Sequence, residues 1–248
     1  MLSNAGIGDI LITKMILQSL NLKNKVVINK ELVKIYRNDS DAYYKFIEKL
    51  EDILFVNQTE PALNIHSLNL QDKITKFLLI EYFKKDLKNV FDFDYITLST
   101  KTRYDDSQNA FMNNDLSIII DFFKNFTVDC PIVLLGEREL KGNQYSLYKH
   151  YMEVLSENND IIDYTSDVKL STEPDWNMFI RDLSILNNSK LNIMFGYGGN
   201  FVMTIAISNS NIGYIRDISH PFLNIVGSNF HRNLNEFMNE IKLKIQDM

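Results

Sequence analysis

From Leu191 to Ile215 the chain carries no charged side chain, yet small and polar residues interrupt it at Gly196, Gly198, Gly199, Asn200, Ser208, Asn209, Ser210, Asn211 and Gly213. A stretch this long and apolar either crosses a bilayer or is buried inside a folded core. The interruptions favour the core: they cut the stretch into a strand at 191–195, a glycine turn, a short helix at 201–207 and a strand at 212–215. Strands without a polar face belong to parallel sheets covered by helices on both sides. An α/β fold with no transmembrane segment is therefore expected.

The residues on either side extend the alternation. Strands are predicted at 95–98, 132–135 and 160–164, and helices at 115–125, 145–157 and from Pro174 to Leu186. A last helix over 230–245 places Leu234, Phe237, Met238, Ile241 and Ile245 on one face, with 212–215 as the last strand. Such alternation implies a doubly wound sheet with right-handed crossovers, whose ligands sit beyond the carboxyl ends of the strands. The loops at 99–113, 136–144 and 196–200 are therefore the ones to inspect. Before this unit the chain reads as a reduced version of the same design. It has strands at 25–29, 53–56 and 63–66, helical stretches at 43–50 and 73–88, and a very short or missing first strand. The expected division is an N-terminal unit over 1–90 and a C-terminal unit over 91–248.

Gly6-Ile7-Gly8-Asp9, followed by the apolar run from Ile10 to Leu17, reads as a glycine loop opening a helix. Such a loop aims free N–H groups at an anion above the helix start, with Asp9 at its mouth. A turn at Gly6 and Gly8 with Asp9 as a helix cap is the competing reading. The formal charge of −6 argues against a nucleic-acid partner, which normally meets a basic face. The one cysteine, Cys130, excludes an internal disulfide, suits a reducing, cytoplasmic compartment and reads as a structural thiol. His66, His150, His220 and His231 lack metal-ligand spacing, so no metal is expected. Neither glycine loop completes the dinucleotide fingerprint, which disfavours a dehydrogenase.

These pieces resemble the heptosyltransferase-type glycosyltransferases of family nine, which have the GT-B fold. The likeness lies in the Gly-Asp opening before an apolar helix, in Ser99-Thr100-Lys101-Thr102-Arg103, in Val133-Leu134-Leu135-Gly136-Glu137-Arg138-Glu139 and in Ile193 to Ala206. The resemblance implies two Rossmann-like units facing each other across a cleft, the first one reduced. It implies transfer of a sugar from a nucleotide-sugar to a glycan or glycolipid hydroxyl, independent of metal and of any cofactor. In that frame Asp9 is the general base, and Gly6 and Gly8 form the anion or acceptor loop. Lys101 and Arg103 face the donor diphosphate, Glu137 or Glu139 meets a sugar hydroxyl, and Gly198, Gly199 and Asn200 bring backbone to a phosphate. The chain departs from the family at three positions. The family usually has an acidic residue where Gly198 stands, a glycine where Asn200 stands and a histidine where Met203 stands. These departures keep open a non-catalytic nucleotide-sugar-binding or assembly protein on the same fold. Trp176 reads as a packing residue, and Tyr197 as a core or rim aromatic with base stacking the alternative.

Overall fold

The computed structural model describes residues 2–3, 6–19, 21, 25–36, 40–57, 79–100, 117–118, 120–136, 152–165, 175–195, 199–208, 210–215 and 229–248. Among them the strands form two separate parallel sheets. Strands β1 (Leu2–Ser3), β2 (Val26–Asn29) and β3 (Ile53–Val56) make a sheet in the order β1-β2-β3. Strands β4 (Ile96–Thr100), β5 (Ile132–Leu135), β6 (Ile161–Asp163), β7 (Leu191–Phe195), β8 (Asn211–Tyr214) and β9 (Phe230–His231) make the second, in the order β6-β5-β4-β7-β8-β9. The fold is thus α/β with parallel sheets. β5 and β7 are buried at every residue, as the apolar sequence of β5 and that of β7, broken only by Asn192, lead one to expect.

Helix α1 (Ile7–Ser19) follows β1, α2 (Lys30–Tyr36) and α3 (Ser40–Glu48) lie between β2 and β3, and the single turn α4 (Ile80–Phe83) leads towards β4. Helical residues 120–124 (α5) and 152–156 (α6) precede β5 and β6. Then come α7 (Trp176–Asn188), α8 (Gly199–Ile207) and α9 (Leu234–Gln246). One face of the larger sheet carries α5, α6 and α9 in a single apolar cluster. The other face carries α7 and α8, and that core continues into α1, α3, α4 and the smaller sheet. α1 and α8 pack directly on each other. Along both helices Ile10 to Leu17 and Val202 to Ile207 are buried without a break, Thr13, Lys14 and Thr204 included. Helices buried all round need neighbours on every side, and here the two sheets supply them.

Capping fixes where several helices begin. Asp175 accepts from the Asn177 and Met178 N–H groups at 2.8 and 3.2 Å, and Asn233 from those of Asn235 and Glu236 at 2.9 and 3.4 Å. Asn29 accepts from Glu31 N–H at 2.9 Å as β2 turns into α2. Each cap contributes about 1 kcal/mol. The Asn29–Glu31 cap and the Glu31–Lys34 pair at 2.9 Å mark α2, a helix the sequence reading did not include.

Three expectations are corrected. Helix α1 starts at Ile7, so Gly8 and Asp9 belong to its first turn and not to the loop. The helix expected over 73–88 ends at Phe83, with 84–86 a turn and 87–90 irregular; 73–78 lie outside the described residues. Phe230 and His231 are the strand β9 and not helix, so 212–215 does not contain the last strand. β9 docks because Gly213 leaves room for Phe230, its register partner: a Cβ at Gly213 would meet that ring at 2.2 Å. The strand expected at 63–66 lies outside the described residues. The face of α9 is as predicted: Phe237 and Ile241 are buried, with Leu234, Met238 and Ile245 packed beside them.

Candidate functional site

The chain adds β5 and β6 on one side of β4, then returns to β4's other side for β7, β8 and β9. The order of strands therefore reverses between β4 and β7. In sheets of this kind the connections after two such strands diverge to opposite faces and leave a crevice at their carboxyl ends. Thr100, the last residue of β4, is paired with Phe195, the last of β7. Ser99 is paired with Met194 on one side and Leu135 on the other. Gly136 ends β5 with φ 129°, a conformation open to glycine and strained for other residues.

Thr100, Phe195 and Leu135 thus end three adjacent strands, about 4.8 Å apart in the hydrogen-bonding direction. The segments carrying Lys101 and Arg103, Glu137, and Gly198 leave from neighbouring points, although those residues, with Glu139 and Tyr197, lie outside the described ones. Gly199 and Asn200 open α8, which has no acidic residue in its first turn. Its N-terminal N–H groups and dipole are therefore unopposed by a carboxylate of its own first turn, and they favour an anion.

Ser99 was quoted in the sequence motif but not singled out, and its environment is distinctive. Ile96 and Leu98 pack in the cluster with α9, so alternation turns Thr97 and Ser99 to the face that carries α7 and α8. Ser99 is 4% exposed, and its hydroxyl has no hydrogen-bond partner among the described residues. A hydroxyl buried without a partner costs about 1–3 kcal/mol, a cost that a ligand oxygen could remove. The available signal was a second hydroxyl, two residues past Thr97, at the last inward position of β4.

On the N-terminal side, Gly6, Gly8 and Asp9 form the start of α1. Gly6 carbonyl accepts the Ile10 N–H at 3.1 Å, and Thr13 Oγ1 donates to the Asp9 carbonyl at 2.7 Å. A Cβ on Gly6 would lie 3.1 Å from Asp9 Oδ2, so the half-buried carboxylate folds back over that glycine. A carboxylate there is stabilised by the positive end of the helix dipole.

Other ionisable groups lie elsewhere in the fold. Burial pushes Asp182 on α7 up to about 6, only partly offset by Arg181, whose Nε and Nη2 donate to one of its oxygens at 2.9 and 2.6 Å. Burial likewise raises the half-buried Cys130 thiol, which opposes thiolate chemistry there. His231 Nε2 lies 2.5 Å from Glu240 Oε2 and ties β9 to α9. Among the described residues no group of three metal-ligand side chains occurs, and no helix is long and apolar enough to cross a membrane. Trp176 packs edge-on against Phe46 and beside Phe179, with the Lys49 amine 5.4 Å above its ring. It is a packing residue. The sequence reading passed over Lys14, which is buried in α1 with its amine 4.2 Å above the Tyr82 ring.

No protein-family model matches this chain. A search of curated proteins finds no match either.

Proposed function

We propose that this chain is a nucleotide-sugar-dependent glycosyltransferase of the GT-B type, independent of metal, whose donor lies at the carboxyl ends of β4 and β7. The observation that carries the reading is the pairing of Thr100 with Phe195 at the reversal of strand order, between an unsatisfied Ser99 hydroxyl and the opening of α8. A nucleoside diphosphate satisfies both features, since its phosphate oxygens accept from the hydroxyl and from helix N–H groups. Lys101 and Arg103, two and four residues past Ser99, supply the cations that a metal-independent transfer requires as the diphosphate leaves. Glu137, one residue past Gly136, accepts from a sugar or ribose hydroxyl. Gly198, Gly199 and Asn200 bring the backbone close to phosphate.

Asp9 takes the proton from the acceptor hydroxyl as its oxygen attacks the anomeric carbon and the bond to the diphosphate breaks. Gly6 leaves the space in which that carboxylate lies. Asp9→Asn keeps the size and the helix-end hydrogen bonding but removes the base. Turnover of a nucleotide-sugar is expected to fall about 10²–10⁴-fold, with melting temperature and donor affinity nearly unchanged. Transfer at the parental rate, or activity lost only through unfolding, contradicts the catalytic assignment. A second reading, a non-catalytic nucleotide-sugar-binding protein, is favoured by the way the Asp9 carboxylate folds over Gly6 as a helix-end group does. Binding of nucleotide-sugars without transfer or hydrolysis would select it.

A further inference from the structure

Three energetic costs meet where the chain passes from the smaller sheet to the larger. Lys14 is 5% exposed, yet its amine makes no hydrogen bond or ion pair among the described residues; its contact is the face of Tyr82 at 4.2 Å. The Tyr82 hydroxyl is buried and has no hydrogen-bond partner among the described residues. Glu51 and Asp52, whose charges act on both groups, are consecutive non-glycine residues at φ 50°, in the left-handed region. A buried cation that no carboxylate contacts directly, a buried unpaired hydroxyl and a left-handed backbone pair are each unfavourable.

One motion relieves the first two. Moving the Tyr82 side of α4 away from α1 gives the amine and the hydroxyl to water. We propose that the seam between α1, α4 and the 51–52 turn is an opening joint, and that protonation of the Lys14 amine governs how often it opens. The rest of α4 is anchored: Leu79 N–H donates to the Ala206 carbonyl of α8 at 2.6 Å, and Phe83 packs edge-on against Phe179 of α7. The joint therefore adjusts the chain that connects the two sheets and does not release it.

The surrounding charges fix the sign. α8 and β2, both packed on α1, contribute no titratable side chain. The 51–52 turn contributes two carboxylates, α4 contributes Tyr82, and Asp86 acts on Tyr82. Glu81 on α4 faces solvent and pairs with Lys84 at 3.3 Å. Burial outweighs the two carboxylates and brings the amine down from 10.5 to about 8. The charged amine thus prefers the open, hydrated joint, and the neutral amine prefers the closed one. Raising the pH through this range closes the joint.

Hydrogen exchange on the full chain tests the proposal, with amides of α4 compared with those of α9 and corrected for the intrinsic pH dependence of exchange. Opening at α4 is expected to fall about tenfold between pH 7 and pH 9 while α9 changes only with global stability. Lys14→Met is expected to lower α4 opening at pH 7 by about a hundredfold and to abolish its pH dependence. Tyr82→Phe, which keeps the ring, is expected to reduce opening while leaving the pH dependence in place. Exchange of α4 amides only through global unfolding overturns the proposal. So does a pH dependence that survives in Lys14→Met, or, should that variant not fold, a wild-type α4 opening that does not change with pH.

Discussion

Thr97 and Ser99 sit two residues apart on the same face of β4, and only one of their hydroxyls is satisfied. At the amino end Thr97 donates to Asn192 Oδ1 at 2.6 Å. The Asn192 amide nitrogen lies within 3.0–3.1 Å of the Leu186 carbonyl, Ser208 Oγ and the Ser210 carbonyl. One side chain thereby ties together the end of α7, the end of α8 and the entry to β8. The network is nearly complete; Asn211 Oδ1 is left over, although its amide nitrogen donates to the Ser208 carbonyl at 2.7 Å. At the carboxyl end the Ser99 hydroxyl has no partner among the described residues, and the sequence following the strands carries glycines at 136, 196, 198 and 199. The difference teaches where each end makes its contribution. Closed polar networks stiffen a fold, whereas an unsatisfied group beside an open helix end leaves hydrogen-bonding capacity for something else.

The amino end should therefore respond to mutation through stability. Asn192→Ala strands the Thr97 hydroxyl and several buried acceptors, and a loss of about 3 kcal/mol is expected in denaturant unfolding. A change below about 0.5 kcal/mol would break the contrast between the two ends.

Lys14 extends the contrast beyond the larger sheet, because it is a polar group buried without a network. Lys14→Met keeps the length and removes the charge, and a gain of about 2–3 kcal/mol is expected at pH 7. The pH dependence has a definite sign. Between about 8 and the ordinary 10.5 the unfolded chain holds a proton that the folded chain has released, so this residue makes stability rise with pH across that window. Below about 8 both states are protonated and the cost is fully present. Unfolding series from pH 7 to pH 10 on both proteins check this, and a parallel pair of curves contradicts it.

The smallest effect is expected at the carboxyl end. Ser99→Ala removes an unsatisfied hydroxyl, so the free protein should be unchanged or more stable by up to about 1 kcal/mol. A clear destabilisation would mean that the hydroxyl serves the fold, and Ser99 would then behave like Thr97.

Periodicity carried the larger sheet well. The bounds of β5 and β7 match their apolar runs because a strand buried on both faces leaves no ambiguity of pattern. β9 was misread as the start of a helix because two residues show no period, and its place depends on the gap at Gly213, a tertiary fact. α2 was missed because its local signal, the cap from Asn29, is short and sits inside a strand sequence. For the candidate site, the reversal of strand order could be anticipated from the alternation of elements, and it brings the roots of the predicted loops together. Ser99, Asn192 and Lys14 were not legible as special. Whether a polar residue in an apolar run has a partner is decided by residues far away in sequence, as with Thr97 and Asn192.

The central claim is that the carboxyl ends of β4 and β7 take a nucleoside diphosphate. Calorimetric titration of the wild-type chain, Ser99→Ala and Gly199→Val with a panel of nucleoside diphosphates tests it most directly. The account predicts binding of at least one of them, with affinity weakened about tenfold or more in both variants, equivalent to about 1.4 kcal/mol. Absence of binding across the panel, or equal affinity in all three proteins, would contradict it.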